Sequence, residues 1–404
     1  MVILFASDEM PRSGDQSFVF RQNPDLFWLT GIDQEKTILI LYPDCPNPLY
    51  REALFLRKTN EVIAVWEGHK YTMEEARATS GINKIFWNDS FEMVLPSLMT
   101  YCESVFLNFN ENDRFESFVP YKDIRFANEL RYHYPGHPIH RLGPIMSSLR
   151  SIKSQIEVDL TQKACNITRD AFLRVLNFVQ PGVQEYEIEA EIIHEFIRQR
   201  ATGHAYTPII GSGKNACVLH YIENNKTCLD GDILLMDFGA EYANYNADLT
   251  RTIPVNGRFS PRQKDVYNAV LRVMKSAIKM LVPGNTLMEY NKEVGKIMES
   301  ELIGLGLLDK NDVAKQDPEN PLYKKYFMHG TSHHLGLDVH DLGPRYQPMQ
   351  VGNLFTCEPG IYIPQEGIGI RIENDILITE NGQLDLMADI PLEVEEIEDL
   401  MNAH

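Results

Sequence analysis

Twice in its second half the chain runs through the same succession of elements: a capped amphipathic helix, a Pro-Gly stop, a second helix, and then β-like segments. In the first passage Ser154 opens a helix with Glu157 three residues on, in capping-box spacing. Its apolar stripe runs through Leu160, Ala164, Ile167, Ala171, Val175 and Phe178, and Pro181-Gly182 stops it. A second helix, marked by Ile188, Ile192 and Phe196, ends near Gly203. In the second passage Ser260-Pro261 supplies an N-cap and an N1 proline, and Pro283-Gly284 the stop. A unit used twice restricts the fold, because the two copies close a pocket between them, and such a junction is a common place for chemistry. The expectation is an α+β domain with internal pseudo-symmetry.

Ahead of it, residues 1 to about 145 alternate short apolar runs (37–42, 53–56 and 104–109) with helical stretches, one of which, 72–80, opens on Thr72 and Glu75 in capping-box spacing. This pattern predicts a small α/β domain. Residues 140–154, with Gly143, Pro144 and several serines, read as the linker, so the domains are placed at 1–147 and 148–404.

The net charge of −19 excludes nucleic acid and anionic membranes as partners and suits a binder of cations. The six cysteines are scattered without a CxxC pair, which predicts reduced thiols. The opening MVILFASDEMPR is too short an apolar patch for a signal sequence, and no run approaches the roughly 20 apolar residues of a membrane span. The expected compartment is the cytoplasm.

Residues 329–373 are dense in chemistry: His329, His333, His340, Glu358, Arg371 and Glu373 stand among glycines and short apolar runs. On the last run Ile368, Ile370, Ile372 and Ile376 point one way while Arg371 and Glu373 share the other face. Asp237 and Asp248 lie on two apolar segments joined by a loop over 241–246. Together Asp237, Asp248, Glu358, Glu373 and His333 are four carboxylates and one imidazole on segments that read as buried. Side by side those acids cannot all ionise without a compensating charge, so either several are protonated or cations sit among them. Oxygen-rich donors with one nitrogen and no thiolate suit Mn²⁺ or another hard divalent ion, and so much negative charge favours two metals.

Singly, each of these residues has a plainer reading. Any one acid can be a cap, a turn residue or half of a surface ion pair. His334 reads as structural, Asp338 and Asp341 as turn formers flanking His340, Arg371 as a neutraliser of Glu373, and a lone His220 as a core histidine.

In order, the segments VLHY, MDFGAEYANYNADLTRT, HGTSHHLGLDVHD, TCEPGIYI and GIGIRIEND resemble the pita-bread metallopeptidases. With MPRSGDQSFVFRQNPDLFWLTGI in the first domain, nearly the whole chain is similar to the Xaa-Pro aminopeptidase (aminopeptidase P) members of the prolidase branch. The resemblance implies a dinuclear site with Asp237 as terminal ligand, Asp248 and Glu373 as bridges, and His333 and Glu358 on the other ion. It places His220, His329 and His340 on the substrate side and Arg371 behind the metals. Creatinase, which works without metal, lacks these acids, and the methionine aminopeptidases lack the first domain. The chain begins at once with an apolar strand where those relatives carry a leading helix, which reads as a trimmed start.

The same resemblance implies release of an N-terminal residue from a trans Xaa-Pro peptide bond, with Glu358 as proton shuttle and His220 and His340 as donors to the oxyanion. A strict Xaa-Pro dipeptidase is the alternative, and an inactive binding module on the same fold a remote one. The relatives are dimers or tetramers in which one subunit's first domain can reach its neighbour's site, and Trp66 is the candidate for that contact.

Overall fold

The computed structural model describes residues 1–109 and 118–403. These form two compact units, Met1–Leu149 and Arg150 onward.

The first unit is built on a sheet of order β6-β5-β4-β1-β7-β8: β1 (Val2–Phe5), β4 (Ile38–Leu41), β5 (Glu52–Leu56), β6 (Lys84–Trp87), β7 (Val105–Leu107) and β8 (Ile139–Arg141). The apolar runs at 37–42, 53–56 and 104–109 supply β4, β5 and β7, and β4 alone runs antiparallel to its neighbours. A small ribbon, β2 (Pro11–Ser13) and β3 (Gln16–Ser17), stands apart from this sheet. The helices are α1 (Pro24–Thr30), α2 (Glu61–Glu67), α3 (Met73–Ser80), α4 (Phe91–Tyr101), α5 (Lys122–His133) and α6 (Gly143–Arg150). The Thr72 and Glu75 capping box opens α3 as its spacing requires. The expected linker over 140–154 is instead largely ordered structure, the end of β8 and then α6. Its composition misleads, because Gly143 and Pro144 begin a helix rather than break one, and Leu142 and Met146 are buried.

In the second unit α7 (Gln155–Phe178) starts at the Ser154 and Glu157 capping box and α8 (Glu185–Arg198) buries Ile188, Ile192 and Phe196. The stripe on α7 is shorter than expected, since Leu160 and Phe178 are only half-buried and the helix stops at Phe178, before Pro181. Strands β9 (Gly203–His204), β10 (Ile209–Ser212), β11 (Ile233–Phe238), β12 (Ala240–Tyr242), β13 (Tyr245–Asn246) and β14 (Leu249–Pro254) follow. The segment expected as a plain loop over 241–246 is a tight hairpin of β12 and β13, with Ala243 and Asn244 at positive φ. The second passage repeats the order: α9 (Pro261–Ile278), capped by Ser260 and Gln263, α10 (Leu287–Gly304), then β15 (Leu354–Cys357), β16 (Gly360–Ile363), β17 (Ile368–Arg371), β18 (Asn374–Thr379) and β19 (Gly382–Asp385).

Antiparallel β10-β11-β14 is the sheet of the first passage, and β15-β18-β19 with the β16-β17 hairpin are the strands of the second. They are joined by a bridge between Thr250 and Glu373, where the Glu373 N–H donates to the Thr250 carbonyl at 3.1 Å. One continuous apolar core spans both passages. The bridge therefore lies at the pseudo-symmetric junction, and that is where the acids gather.

Candidate metal centre

Each donor arrives from a different element. Asp237 is on β11, opposite Thr250 on β14, and Asp248 directly precedes β14. Glu373 lies between β17 and β18 and is held by the Thr250 hydroxyl at 2.6 Å. Glu358 follows β15, whose ladder ends before Pro359. His333 sits on an irregular segment pinned to β15, its carbonyl accepting from the Thr356 N–H and its N–H donating to the Thr356 hydroxyl.

The fold brings all five together. Single donor atoms of Asp248, His333 and Glu373 lie within 4.8 Å of one another. His333 Nε2 is 3.4 Å from Asp248 Oδ2 and 3.7 Å from Glu358 Oε1. Asp237 joins through Tyr206, whose hydroxyl is 2.5 Å from Asp237 Oδ1 and 2.6 Å from Asp248 Oδ1.

The electrostatics of this cluster call for a cation. A hydroxyl has one proton, so Tyr206 can donate to only one of the two carboxylates it touches, and the other contact requires a protonated acid. Burial, then the charges of Asp248 and Glu358, push Glu373 well above the carboxylate range. Burial takes Glu358 up to about 7 against the pull of His333, and raises Asp237 against the pull of Arg371. At His333 burial pulls the pKa down, but the bond to Asp248 and the charge of Glu358 reverse it and take it to about 9. Acids held protonated and an imidazole held charged are what a carboxylate-rich ligand set does without its metal, so these residues fit divalent cations.

The sign of the linkage gives a prediction for the metal-free protein. The raised Glu358 contributes stability that is present below its ordinary 4.5 and lost as pH rises through about 7, and the raised His333 contribution is present below 6.5 and lost through about 9. Chelated protein should therefore lose thermal stability relative to Mn²⁺-loaded protein across that window. The gap in Tm is expected to widen by roughly 5–10 °C between pH 5 and pH 8. Thermal unfolding of both forms across pH reads it directly, and a constant gap would refute it.

Around the cluster runs a hydrogen-bonded relay. Arg371 Nη2 donates to Asp237 Oδ2 at 2.5 Å, its Nε to the Thr250 hydroxyl at 3.0 Å, and its Nη1 to the Tyr362 hydroxyl at 2.8 Å. Tyr362 meets His329 Nε2 at 2.8 Å, while His329 Nδ1 lies 2.8 Å from the Gly330 carbonyl. Only an Nδ1–H tautomer satisfies both, so Tyr362 donates to the imidazole. Burial and then the Arg371 charge hold His329 down at about 3, which keeps the ring neutral. Its Nδ1 is 3.6 Å from Glu358 Oε2. His340 is exposed, its ring centroid 4.2 Å from that of His333. His220 is exposed on a turn.

Residues 159–380 match the model described as metallopeptidase family M24, and residues 1–106 that of the aminopeptidase P N-terminal domain. The chain belongs to metallopeptidase family M24. It is 36% identical to Xaa-Pro aminopeptidases of Haemophilus influenzae and Escherichia coli, over 99% of this chain and 93% of each relative. The solved structure of zinc-substituted E. coli aminopeptidase P in complex with product matches with a TM-score of 0.88 at 33% identity, covering 100% of this chain and 94% of that one. The pita-bread architecture and the aminopeptidase P type of first domain are those of this chain.

Several plainer readings of single residues give way in this M24 chain. Arg371 is more than a neutraliser of Glu373: its charge acts on Glu373 across the Thr250 hydroxyl, but its direct ion pair is with Asp237. Asp341 is more than a turn former: its N–H closes a loop on the His334 carbonyl, and its side chain is fully buried against Arg150 and Lys153. His220 is exposed rather than a core histidine. His334 is structural as expected, buried against Phe355 with ring centroids 4.3 Å apart.

Sequence reasoning missed Tyr206, Thr250, Tyr362 and Glu185. The Glu185 carboxylate, buried at the start of α8, accepts from the Ser212 N–H and hydroxyl at 2.8 Å each, from the Asn215 amide at 3.3 Å, from the Tyr221 hydroxyl at 2.7 Å and from the Lys226 N–H at 3.0 Å. It thereby ties down the turn that presents His220. A glutamate in the first helical turn looks like ordinary dipole compensation in sequence, and nothing local reports its distant partners.

Proposed function

We propose that this M24 chain is an Xaa-Pro aminopeptidase, releasing the N-terminal residue of peptides with proline in second position. The observation that carries the reading is the gathering of Asp237, Asp248, His333, Glu358 and Glu373 in one buried site of a chain that resembles aminopeptidase P from end to end. Two divalent ions, Mn²⁺ first among them, would be held there, with Asp237 as terminal ligand, Asp248 and Glu373 as bridges, and His333 and Glu358 on the other ion. When bound, such ions acidify a water and polarise the scissile carbonyl.

The chain's own groups then manage protons and orientation. Glu358 accepts the proton of the attacking water and returns it to the proline nitrogen as the C–N bond breaks. His220 and His340, both exposed, donate to the developing oxyanion. Arg371, held by Asp237, Thr250 and Tyr362, pulls the terminal acid toward its ionised form against burial and keeps it in place. The proline nitrogen carries no N–H and its ring fixes φ, so the pocket must select by shape, and only the trans bond fits.

The aminopeptidase reading outranks the dipeptidase one. Capture of a free prolyl carboxylate needs a dedicated cation, and Arg371 is already committed to three partners. No helix among the described residues is long and apolar enough to cross a membrane, and the cytoplasm is the proposed compartment. The proposed assembly is a dimer or tetramer, with Trp66, 84% exposed on α2, meeting a neighbouring subunit.

The test compares kcat/KM for an Xaa-Pro-Xaa tripeptide, a longer Xaa-Pro peptide, an Xaa-Pro dipeptide and an Xaa-Ala-Xaa control, with metal content measured alongside. Turnover of the tripeptide and longer peptide is expected, with the alanine control at least about 10²-fold slower. Turnover of the dipeptide alone would reassign the chain to the dipeptidases, and equal turnover of the alanine control would sink proline selection.

A further inference from the structure

Residues 334–341 form a loop closed at its neck and filled with charge. The Asp341 N–H donates to the His334 carbonyl at 2.9 Å, so the loop leaves and returns at one point, with His333 on one side of the neck and His340 on the other. Inside, Lys153 Nζ meets Asp341 Oδ2 at 2.6 Å, and Arg150 Nη2 pairs with Asp341 Oδ1 and, at 3.0 Å, with Asp338 Oδ2. The side chains of Arg150, Lys153 and Asp341 are 3%, 2% and 0% exposed. Lys153 also donates to the Arg150 carbonyl at 2.7 Å, and its own N–H to the Gly352 carbonyl at 2.8 Å, so the cations are held from their own side. Gly336 closes the cage: a Cβ there would overlap the Asp341 carboxylate and the Lys153 ammonium.

Buried ion clusters contribute little net stability, because desolvation offsets their attraction, but they hold one arrangement against others. This one holds the loop whose neck sets the His333 and His340 rings 4.2 Å apart. We propose that Arg150 and Lys153, through Asp338 and Asp341, are positioning residues for His340, fixing its imidazole over the metal-side histidine for the Xaa-Pro cleavage proposed for this site. The inference rests on that proposed function for its kinetic consequence, though not for its structural one.

Lys153→Met/Asp341→Asn removes the inner charges while keeping their volume, Gly336→Ala forces the pair apart, and Asp338→Asn cuts the outer tether at a partly exposed position. Each is combined with His340→Ala and assayed on an Xaa-Pro-Xaa peptide in the Mn²⁺-loaded protein. Histidine ring NMR of the metal-free protein is read beside it, with the His340 signals assigned by their loss in His340→Ala. We expect kcat to fall by about 10- to 10²-fold with KM within about twofold, and no further fall in the His340→Ala background. The His340 ring signals should shift or broaden while those of His220 stay in place. An equal loss in both backgrounds would overturn the proposal, as would unchanged His340 signals in every variant. If the charge-free pair does not fold, Asp338→Asn carries the same comparison. If wild type fails on every Xaa-Pro peptide, the proposed function fails, while the ring signals still decide the clamp.

Discussion

Replacing Glu373 with alanine is expected to remove metal binding and, with it, peptidase activity, by at least about 10³-fold in kcat/KM. The residue is 2% exposed and its carboxylate is fixed by the Thr250 hydroxyl at 2.6 Å, so its oxygen is preset toward Asp248 and His333. As a proposed bridge it would serve both ions. The backbone contact that builds the junction, from the Glu373 N–H to the Thr250 carbonyl, survives the substitution, so the fold should persist. Removing one member of a crowded acid cluster also lightens the burden on the metal-free protein. Elemental analysis, activity and thermal unfolding of Glu373→Ala and Glu373→Gln separate these effects. Both variants should lose metal and the Mn²⁺-dependent rise in Tm, whereas retention of full metal content by either would remove Glu373 from the ligand set.

His340→Ala should behave in the opposite way, keeping its metal while kcat falls by about 10²-fold, the cost of losing one donor to an oxyanion. His340 is exposed and beside His333, and it is outside the group of donor atoms that lie within 4.8 Å of each other. The side chain is exposed, so stability should change little. KM should move less than kcat, because the interaction strengthens only as negative charge develops on the carbonyl oxygen. Unchanged kcat would exclude the residue from the reaction. Loss of metal would show instead that its ring sustains His333.

The repeated order of helices and strands was legible because its markers are local. Ser154 with Glu157 and Ser260 with Pro261 announce helix starts within four residues, and the periodicity of Ile188, Ile192 and Phe196 survives any tertiary arrangement. Local markers failed where a local pattern has two outcomes. Gly143 and Pro144 suit a linker or a helix start, and the burial of Leu142 and Met146 selected the helix. Ala243 and Asn244 can end a loop or turn a hairpin, and pairing of Glu241 with Asn246 selected the hairpin.

For the site, the residue types themselves narrowed the chemistry: four acids and one imidazole, with no thiolate among them, on apolar segments demand either protonated acids or compensating cations, and the donor set suits hard divalent ones. Which groups support them was decided only in three dimensions. Tyr206 reaches Asp237 and Asp248 across separations of 31 and 42 residues, Arg371 reaches Asp237 across 134, and Arg150 and Lys153 reach Asp341 across 191 and 188. At such distances spacing along the chain carries no signal. The partner of a buried charge is settled by which strands cross and which side chains are left facing the same desolvated volume, and that is a property of the packed structure alone.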